Sequence, residues 1–142
     1  MIVLNRTSDR IKVKIGEITL WLSPLSAIQK SEILSYAKVV EGEEIPDYTK
    51  RVYAAIKYSV KKIGGVCLSD GSEYELEFEE GTKSLTEECV NDLLNLPITE
   101  QLMVLCASFI NGVPSQVMDP NTGKKYKGVE IELPKVSKSE KK

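Results

Sequence analysis

The stretch IKVKIGEITLWL, residues 11–22, decides how the fold of this chain begins. Apolar and polar residues alternate over Ile11–Ile15 and again over Ile18–Leu22. Such period-two alternation is typical of strands with one buried face. The two runs are separated by Gly16 and Glu17, and a two-residue break that contains glycine is a hairpin signal. The stretch therefore predicts an antiparallel β-hairpin.

The first helix is predicted to begin directly after this hairpin. Ser23 fits an N-cap, and Pro24 fits the first helical position. Apolar residues then recur at a three-and-four spacing as far as Val40, which predicts one amphipathic helix with Gln29, Lys30 and Glu32 in solvent. The predicted apolar stripe comprises Leu25, Ile28, Ile33, Tyr36, Ala37 and Val40.

Three further helices and a second hairpin are predicted downstream. A polar connection over 41–46 leads to a helix from Asp47 to about residue 63. Residues 66–78 are two short strands around an Asp-Gly turn. A capping box at 84–87 opens a third helix, which ends before Pro97 because proline breaks helices. The last helix, capped by Thr99, extends to Ile110.

These elements predict one α+β domain over residues 1–134, with about four helices and short antiparallel β-hairpins. A chain of 142 residues is long enough to close a single core. Residues 119–123 predict a turn, and residues 129–133 alternate like an exposed strand. The polar, basic segment KVSKSEKK, residues 135–142, is predicted to be a disordered tail.

The stretch EYELEFEE, residues 73–80, raises the question of a cation site or an acid/base pair. Side chains alternate along a strand, so its glutamates share one face and its apolar residues share the other. Carboxylates in a straight row about 7 Å apart do not converge on one cation. Nothing in the row indicates the unequal burial that catalytic carboxylate pairs need. The row is therefore predicted to be the solvated face of a half-buried strand, which also discourages edge pairing.

Composition argues against catalysis. The chain has no histidine, which removes the usual general base and the commonest metal ligand. We therefore predict no enzyme activity, no catalytic or metal-binding residue and no cofactor. Cys67, Cys89 and Cys106 are widely spaced and odd in number, which suits a reducing compartment. Cys89 and Cys106 fall at apolar helical positions and are expected in the core.

Charge and hydropathy restrict the classes of partner that the sequence predicts. The formal net charge of -2 gives no overall attraction for nucleic acid or acidic lipid. Apolar runs are far shorter than a membrane span, and the N-terminus does not resemble a secretory signal. A soluble, cytoplasmic protein that binds neither nucleic acid nor membrane is expected.

Two features allow a functional and a structural interpretation. Trp21 could anchor a partner, but its neighbours Leu20 and Leu22 favour core packing. Lysines within residues 50–62 could contact nucleic acid, but no aromatic residues are interleaved with them, so a solvated face is favoured. The residues themselves therefore favour a domain that binds other proteins.

The stretch ITLWLSPLSAIQKSEILSYAK, residues 18–38, resembles the N-terminal part of the tail assembly chaperones of lambda-like, long-tailed bacteriophages. In that family a short strand ends in a leucine-serine motif and enters a helix of the pattern LSALQ-x-x-E-x-L. The stretch LPITEQLMVLCASFINGVP, residues 96–114, looks like the later helix of the family. The hairpin at 66–78 and the strand at 129–133 have no counterpart there. The matching residues are Leu22, Leu25, Ser26, Ala27, Ile28, Gln29, Glu32 and Leu34.

The resemblance implies a non-catalytic assembly factor of the host cytoplasm that is absent from the mature virion. Such chaperones bind the tape measure protein, keep it soluble and recruit tail tube subunits. Many are made in two lengths by a translational frameshift, and consecutive lysine codons for Lys141 and Lys142 could form a slippery run. Homo-oligomerisation stays open. The predicted partner-binding residues are Trp21, Leu22, Leu25, Ile28, Gln29, Glu32 and Ile33.

Other interpretations remain beside this one. Leu25, Ile28 and Ile33 could equally form ordinary core. The alternative function is a structural virion component of the head-tail connector or tail terminator type, whose hairpins add strands to neighbouring subunits. A third is an enzyme or metal protein that uses the glutamate row at 73–79.

Overall fold

The computed structural model describes Leu4, residues 6–111 and residues 129–132. Within these ranges the chain forms four α-helices and six strands in antiparallel sheets. This confirms the prediction of a single α+β domain. The turn at 119–123 and the tail at 135–142 lie outside the described residues. Of the helices described, none combines the length and apolar character needed to cross a bilayer.

Four strands form the main sheet, in the spatial order β5-β2-β1-β6. Strands β1 (Ile11–Ile15) and β2 (Ile18–Leu22) are the predicted hairpin, which is confirmed. Strand β6 (Val129–Glu132) confirms the predicted C-terminal strand and pairs with β1. Strand β5 (Val60–Gly64) pairs with β2 at the other edge. The sheet thus joins residues more than 110 positions apart in sequence through β1 and β6.

The alternation along β1 and β2 divides the sheet into two faces. Val13 and Leu20 lie opposite each other and are fully buried, whereas the neighbouring Lys12 and Lys14 are exposed. The buried face shares one hydrophobic core with the helices α2 (Tyr48–Ser59), α3 (Glu87–Leu94) and α4 (Thr99–Ser108). A short 3-10 turn, Phe109–Asn111, follows α4 and adds the buried Phe109.

The first helix begins three residues later than predicted. Helix α1 spans Ala27–Ser35 and is capped by Ser26, not by Ser23. The Ser26 hydroxyl accepts the Gln29 N–H at 3.1 Å, and the Gln29 side chain accepts the Ser26 N–H at 2.9 Å. This reciprocal capping box satisfies two backbone donors, more than a lone serine cap would. Ser23 instead is buried, and its N–H donates to the Ser59 carbonyl at 2.8 Å.

The prediction that this helix extends to Val40 is wrong, as is the polar connection at 41–46. Residues Ala37–Val40 form strand β3 and Glu43–Pro46 form strand β4, which pair as a second sheet. The chain reverses through Glu41 and Gly42, both with positive φ. Two such residues make the primed turn that fits strand twist, and the valines favour strand over helix.

The second helix is shorter than predicted. Asp47 caps α2 as expected, and its carboxylate accepts the Lys50 N–H at 3.1 Å. The helix ends at Ser59, and the next five residues form strand β5 instead of reaching residue 63 in helical form. Pairing with β2 decides this, because it adds a ladder partner and keeps Val60 and Ile63 buried. Local spacing could not reveal that pairing.

The second predicted hairpin is reduced to isolated pairings. Cys67 pairs with Glu73 around the turn, where Asp70 accepts the Ser72 N–H at 2.8 Å. The predicted strand over 74–78 is replaced by an extended segment, whose Phe78 pairs with Leu85. A regular ladder requires a longer partner than these loops supply.

Both remaining helices were predicted, but with different caps. Helix α3 is capped by Thr86, which accepts the Cys89 N–H at 3.1 Å, instead of by Ser84. Helix α4 begins at Thr99 and has no side-chain cap. The Thr99 hydroxyl donates to the carbonyl of Leu96 at 2.6 Å, so it ties α4 to the preceding loop and does not cap.

Candidate functional site

The residues predicted for partner binding are divided between core and surface. Leu22 and Ile33 are fully buried and Leu25 is only 4% exposed, so all three belong to the core. Ile28, on the same helix as Ile33, is 84% exposed. Of these four side chains, only Ile28 is therefore accessible to a partner of the folded chain; the other three pack in the core.

The polar members of the predicted set have intramolecular partners. The side chain of Gln29 is engaged in the capping box of α1. The carboxylate of Glu32 accepts a hydrogen bond from the Tyr58 hydroxyl. Burial, together with this bond, raises the pKa of Tyr58, so the hydroxyl stays protonated and keeps donating. Trp21 is half-buried and lies apart from the core.

An apolar projection extends from the domain where α1 passes into the β3–β4 hairpin. All four residues of β3 are exposed, and no helix of the described ranges packs extensively on the hairpin. Val39 and Val40 are neighbours on one strand and therefore lie on its opposite faces, while Ile28 and Leu34 lie on α1. We name as the hairpin surface the exposed residues Ile28 (84% exposed), Leu34 (51%), Val39 (72%) and Val40 (45%).

The base of the hairpin is fixed to α2. The guanidinium of Arg51 donates to the carbonyls of Tyr36 at 3.0 Å and Leu34 at 2.8 Å. The Asp47 N–H donates to the Tyr36 carbonyl at 3.1 Å, and the Lys50 ammonium lies 4.6 Å from the centre of the Tyr36 ring. The hairpin thus has an anchored base and a tip that projects.

The outer edge of β3 offers backbone groups for pairing. Hydrogen-bonded and non-bonded pairs alternate in antiparallel ladders. The two-residue turn makes Val40 and Glu43 a bonded pair, so Ala37 and Val39 direct their N–H and C=O groups outward. The β4 edge is poorer, because Pro46 has no N–H and the strand carries glutamates. An added strand would therefore pair on the β3 side.

A second feature is a cavity of about 500 Å³ on the outer face of the main sheet. Trp21 lies on β2, and the register places Lys62 of β5 beside it, with the ammonium 4.8 Å from the centre of the indole ring. Gly64 lies beside the ring, where an added Cβ would make an ordinary van der Waals contact at 3.6 Å. We name this cavity the Trp21 groove; its lining comprises Arg10, Trp21, Lys61, Lys62, Phe78, Thr82 and Lys83.

Lys61 carries the most perturbed cation of the groove. Its ammonium donates to the Lys83 carbonyl at 2.6 Å. Burial, with repulsion from Arg10 and Lys83, lowers the pKa of Lys61 from 10.5 to about 8. The cations therefore lie close enough to repel one another, and an anion in the groove would relieve that repulsion.

The glutamate row at 73–79 follows the predicted alternation as far as Glu77. Phe78 departs from it, since it is 39% exposed and faces the Trp21 groove. Glu79 forms an ion pair with Lys57 at 2.8 Å. Among the described residues no group of three or more carboxylate, thiol or imidazole side chains converges as a metal site would.

The prediction that two of the three cysteines lie in the core is confirmed. Cys89 and Cys106 are buried and Cys67 is exposed. Burial raises the pKa of the Cys106 thiol to about 12, so it is protonated at neutral pH. Cys89 lies 3.3 Å from the Tyr74 hydroxyl, which donates to Asp92 at 3.0 Å. These contacts tie the 73–78 segment to α3 and have a structural role.

Sequence reasoning missed both the hairpin and the groove. The pair Glu41-Gly42 next to two valines was an available signal for the hairpin. Nothing local could bring Trp21, Lys62 and Phe78 together, because they are separated by 41 and 16 positions. Strand pairing places Lys62 beside Trp21, and the tertiary fold adds Phe78 to the same lining. Comparison of the chain with protein-family models, curated proteins and solved structures finds no match.

Proposed function

We propose that this chain is a non-catalytic phage tail assembly chaperone that binds the tape measure protein, keeps it soluble and recruits tail tube subunits. The observation that carries the proposal is the anchored, projecting β3–β4 hairpin with its exposed apolar side chains. Its first strand begins at Ala37, within the end of the stretch 18–38 on which the resemblance to this family rests. The protein would act in the host cytoplasm and be absent from the mature virion.

The chemistry of the hairpin surface suits a holdase. Such a protein must offer apolar area to a partner and still remain soluble. Val39 and Val40 offer that area, and their strand neighbours Lys38, Glu43 and Glu44 keep the projection charged. The contacts of one hairpin are few, so affinity for a long partner would come from several chaperone copies along it.

The β3 edge supplies a second mode of binding. An extended segment can add to the outward N–H and C=O groups of Ala37 and Val39, which gives affinity that depends little on partner sequence. Leu34, at the end of α1 that leads into β3, would then contact the apolar side chains of that segment. This combination suits a chaperone, which must hold many segments of one chain instead of a single motif.

The test is co-expression with the tape measure protein of the same genome, followed by affinity capture and size exclusion. The proposal expects the tape measure protein to be soluble only in this chain's company and to co-elute with it. Leu34→Ser combined with Val39→Ser should abolish co-elution. Leu68→Ser is the matched control, because Leu68 is 49% exposed but lies in the 67–73 turn region, away from the hairpin.

Two outcomes would contradict the proposal. One is a tape measure protein that aggregates whether or not this chain is present. The other is a purified chain that assembles into rings or is found in mature virions. Either result would favour a structural virion component of the connector or terminator type, in which the β3 edge pairs with a neighbouring subunit.

A further inference from the structure

The lining of the Trp21 groove contains four cations, Arg10, Lys61, Lys62 and Lys83, and no carboxylate. Within residues 6–111 and 129–132, the ion pair that forms is Lys57 with Glu79, and none of the groove cations has a carboxylate within 4.0 Å. Positively charged side chains that face one another across a cavity repel, and a bound anion removes that repulsion. The groove lining therefore has the composition of an anion site.

Aromatic surface gives the groove a second kind of contact. Trp21 and Phe78 line the same cavity, and Phe78 is 39% exposed although large apolar side chains are normally covered. The Lys62 ammonium lies over the indole ring and places positive charge beside this apolar area. A ligand that fits must combine negative charge with an apolar or aromatic group.

We propose that the Trp21 groove binds a short acidic peptide segment that carries an apolar or aromatic side chain. The carboxylates would contact Arg10, Lys61 and Lys83, and the apolar side chain would pack between Trp21 and Phe78. The volume of about 500 Å³ lies in the range of sites for small ligands, which matches a few residues of peptide.

A peptide fits the surroundings better than a nucleic acid does. The extended segment that carries Phe78 also carries the exposed glutamates Glu73, Glu75 and Glu77, and a neighbouring cleft brings Glu73 and Glu75 near Lys61 and Lys62. A nucleic-acid strand bears a phosphate at every nucleotide and would pass along these glutamates. A short acidic peptide can occupy the groove without extending across them.

The inference does not rest on the proposed chaperone function, because it uses no residue of the hairpin surface. Loss of peptide binding would leave the co-expression result unchanged, and failure of co-expression would leave the groove intact. The two proposals can therefore fail separately.

The chain carries its own reporter for the test. Trp21 is the one tryptophan of the sequence, so its emission reports on the groove. The probe is a fluorescein-labelled octapeptide, EYELEFEE, and the matched control peptide is KYKLKFKK. We expect saturable anisotropy and a change in Trp21 emission with the acidic peptide, both weakened by salt because the contacts are ionic.

Variants locate the binding. Lys62→Glu combined with Lys83→Glu should weaken binding by about tenfold or more. Lys38→Glu, which lies on the exposed β3 strand and changes the charge by as much as Lys83→Glu alone, should leave binding unchanged. If circular dichroism shows the double variant unfolded, Lys83→Glu alone keeps the test, because Lys83 is exposed and only its backbone carbonyl accepts the Lys61 bond.

Three results would overturn the proposal. The first is the absence of binding by EYELEFEE at millimolar concentration. The second is equal binding by the parent chain and by the folded groove variant. The third is tighter binding of an eight-nucleotide oligothymidylate that the same substitutions abolish, which would assign the groove to single-stranded nucleic acid.

Discussion

The two β-hairpins in the described part of the chain have similar lengths and two-residue turns but opposite environments. The β1–β2 hairpin lies inside a four-stranded sheet and buries Val13 and Leu20 completely. The β3–β4 hairpin forms a sheet of its own and exposes every residue of β3. Isolated two-stranded hairpins are marginal in water. The difference indicates that the first hairpin stabilises the fold, whereas the second leaves the β3 residues exposed to solvent.

Truncation of one apolar side chain in each hairpin should show the largest contrast. Leu20→Ala leaves a cavity in the core and should cost about 2–5 kcal/mol of the free energy of unfolding. Val39→Ala, at a side chain that is 72% exposed, should stay within about 0.5 kcal/mol. Urea unfolding followed by circular dichroism measures both. Equal losses would mean that the projecting hairpin is part of the cooperative core.

A matched pair of glycines sharpens the comparison. Gly16 and Gly42 occupy the two turns with φ of +61° and +83°, and neither would bring an added Cβ within 4 Å of other atoms. Alanine is strained by about 1 kcal/mol in this backbone region. Gly16→Ala should lower the global free energy of unfolding by that amount. Gly42→Ala should instead increase amide hydrogen exchange over 37–46 and leave global unfolding unchanged.

The distinction between the hairpins would be contradicted by two results together: amide exchange over 37–46 that is unchanged in Gly42→Ala, and an equal loss of the free energy of unfolding in both variants. Mass spectrometry of peptic fragments resolves the two segments.

The smallest expected effect is a pH dependence of the main sheet. The pKa of Lys61 is lowered to about 8 in the folded chain from 10.5, so between these values the unfolded chain binds more protons. Stability should therefore rise as the pH increases from about 8 to 10.5. Lys61→Met should abolish that rise and should stabilise the chain at neutral pH by about 1 kcal/mol or less, allowing for solvent screening.

Lys38→Met is the control for this effect, since Lys38 lies on the exposed β3 strand. Thermal unfolding between pH 7 and 10.5 gives the comparison. If the stability of Lys61→Met still rises with pH, the rise comes from other titrating groups.

The local sequence pattern predicted the structure correctly where it was compatible with only one kind of element. The alternation at 11–22 and the Asp47 cap each fitted one structure, and Pro97 correctly separated the two helices that became α3 and α4. The pattern of residues 60–64 fitted both a helix and a strand, because Val60 and Ile63 continue the helical stripe of α2 and also lie on the buried face of a strand. Pairing with β2 decided between them, and a single sequence does not display that pairing.

The candidate surfaces were predictable to a smaller degree. The sequence left open whether Leu25, Ile28 and Ile33 form core or a binding stripe. Leu25 precedes α1, and Ile28 and Ile33 lie about 140° apart around the helix axis, so Ile28 faces solvent while Ile33 is buried. The interpretation of Trp21 as a partner anchor named a residue that is half-buried in the lining of the groove. Its cationic neighbours come from β5 and from the loop at 82–83, so only the tertiary fold assembles them.

The measurement that tests the central claim most directly is hydrogen exchange of this chain, free and in complex with co-expressed tape measure protein. If the hairpin surface is the binding element, the amides of Ala37 and Val39 should exchange rapidly in the free chain and become protected in the complex. Protection elsewhere, with 37–40 unchanged, would contradict the account and would place the partner on another face.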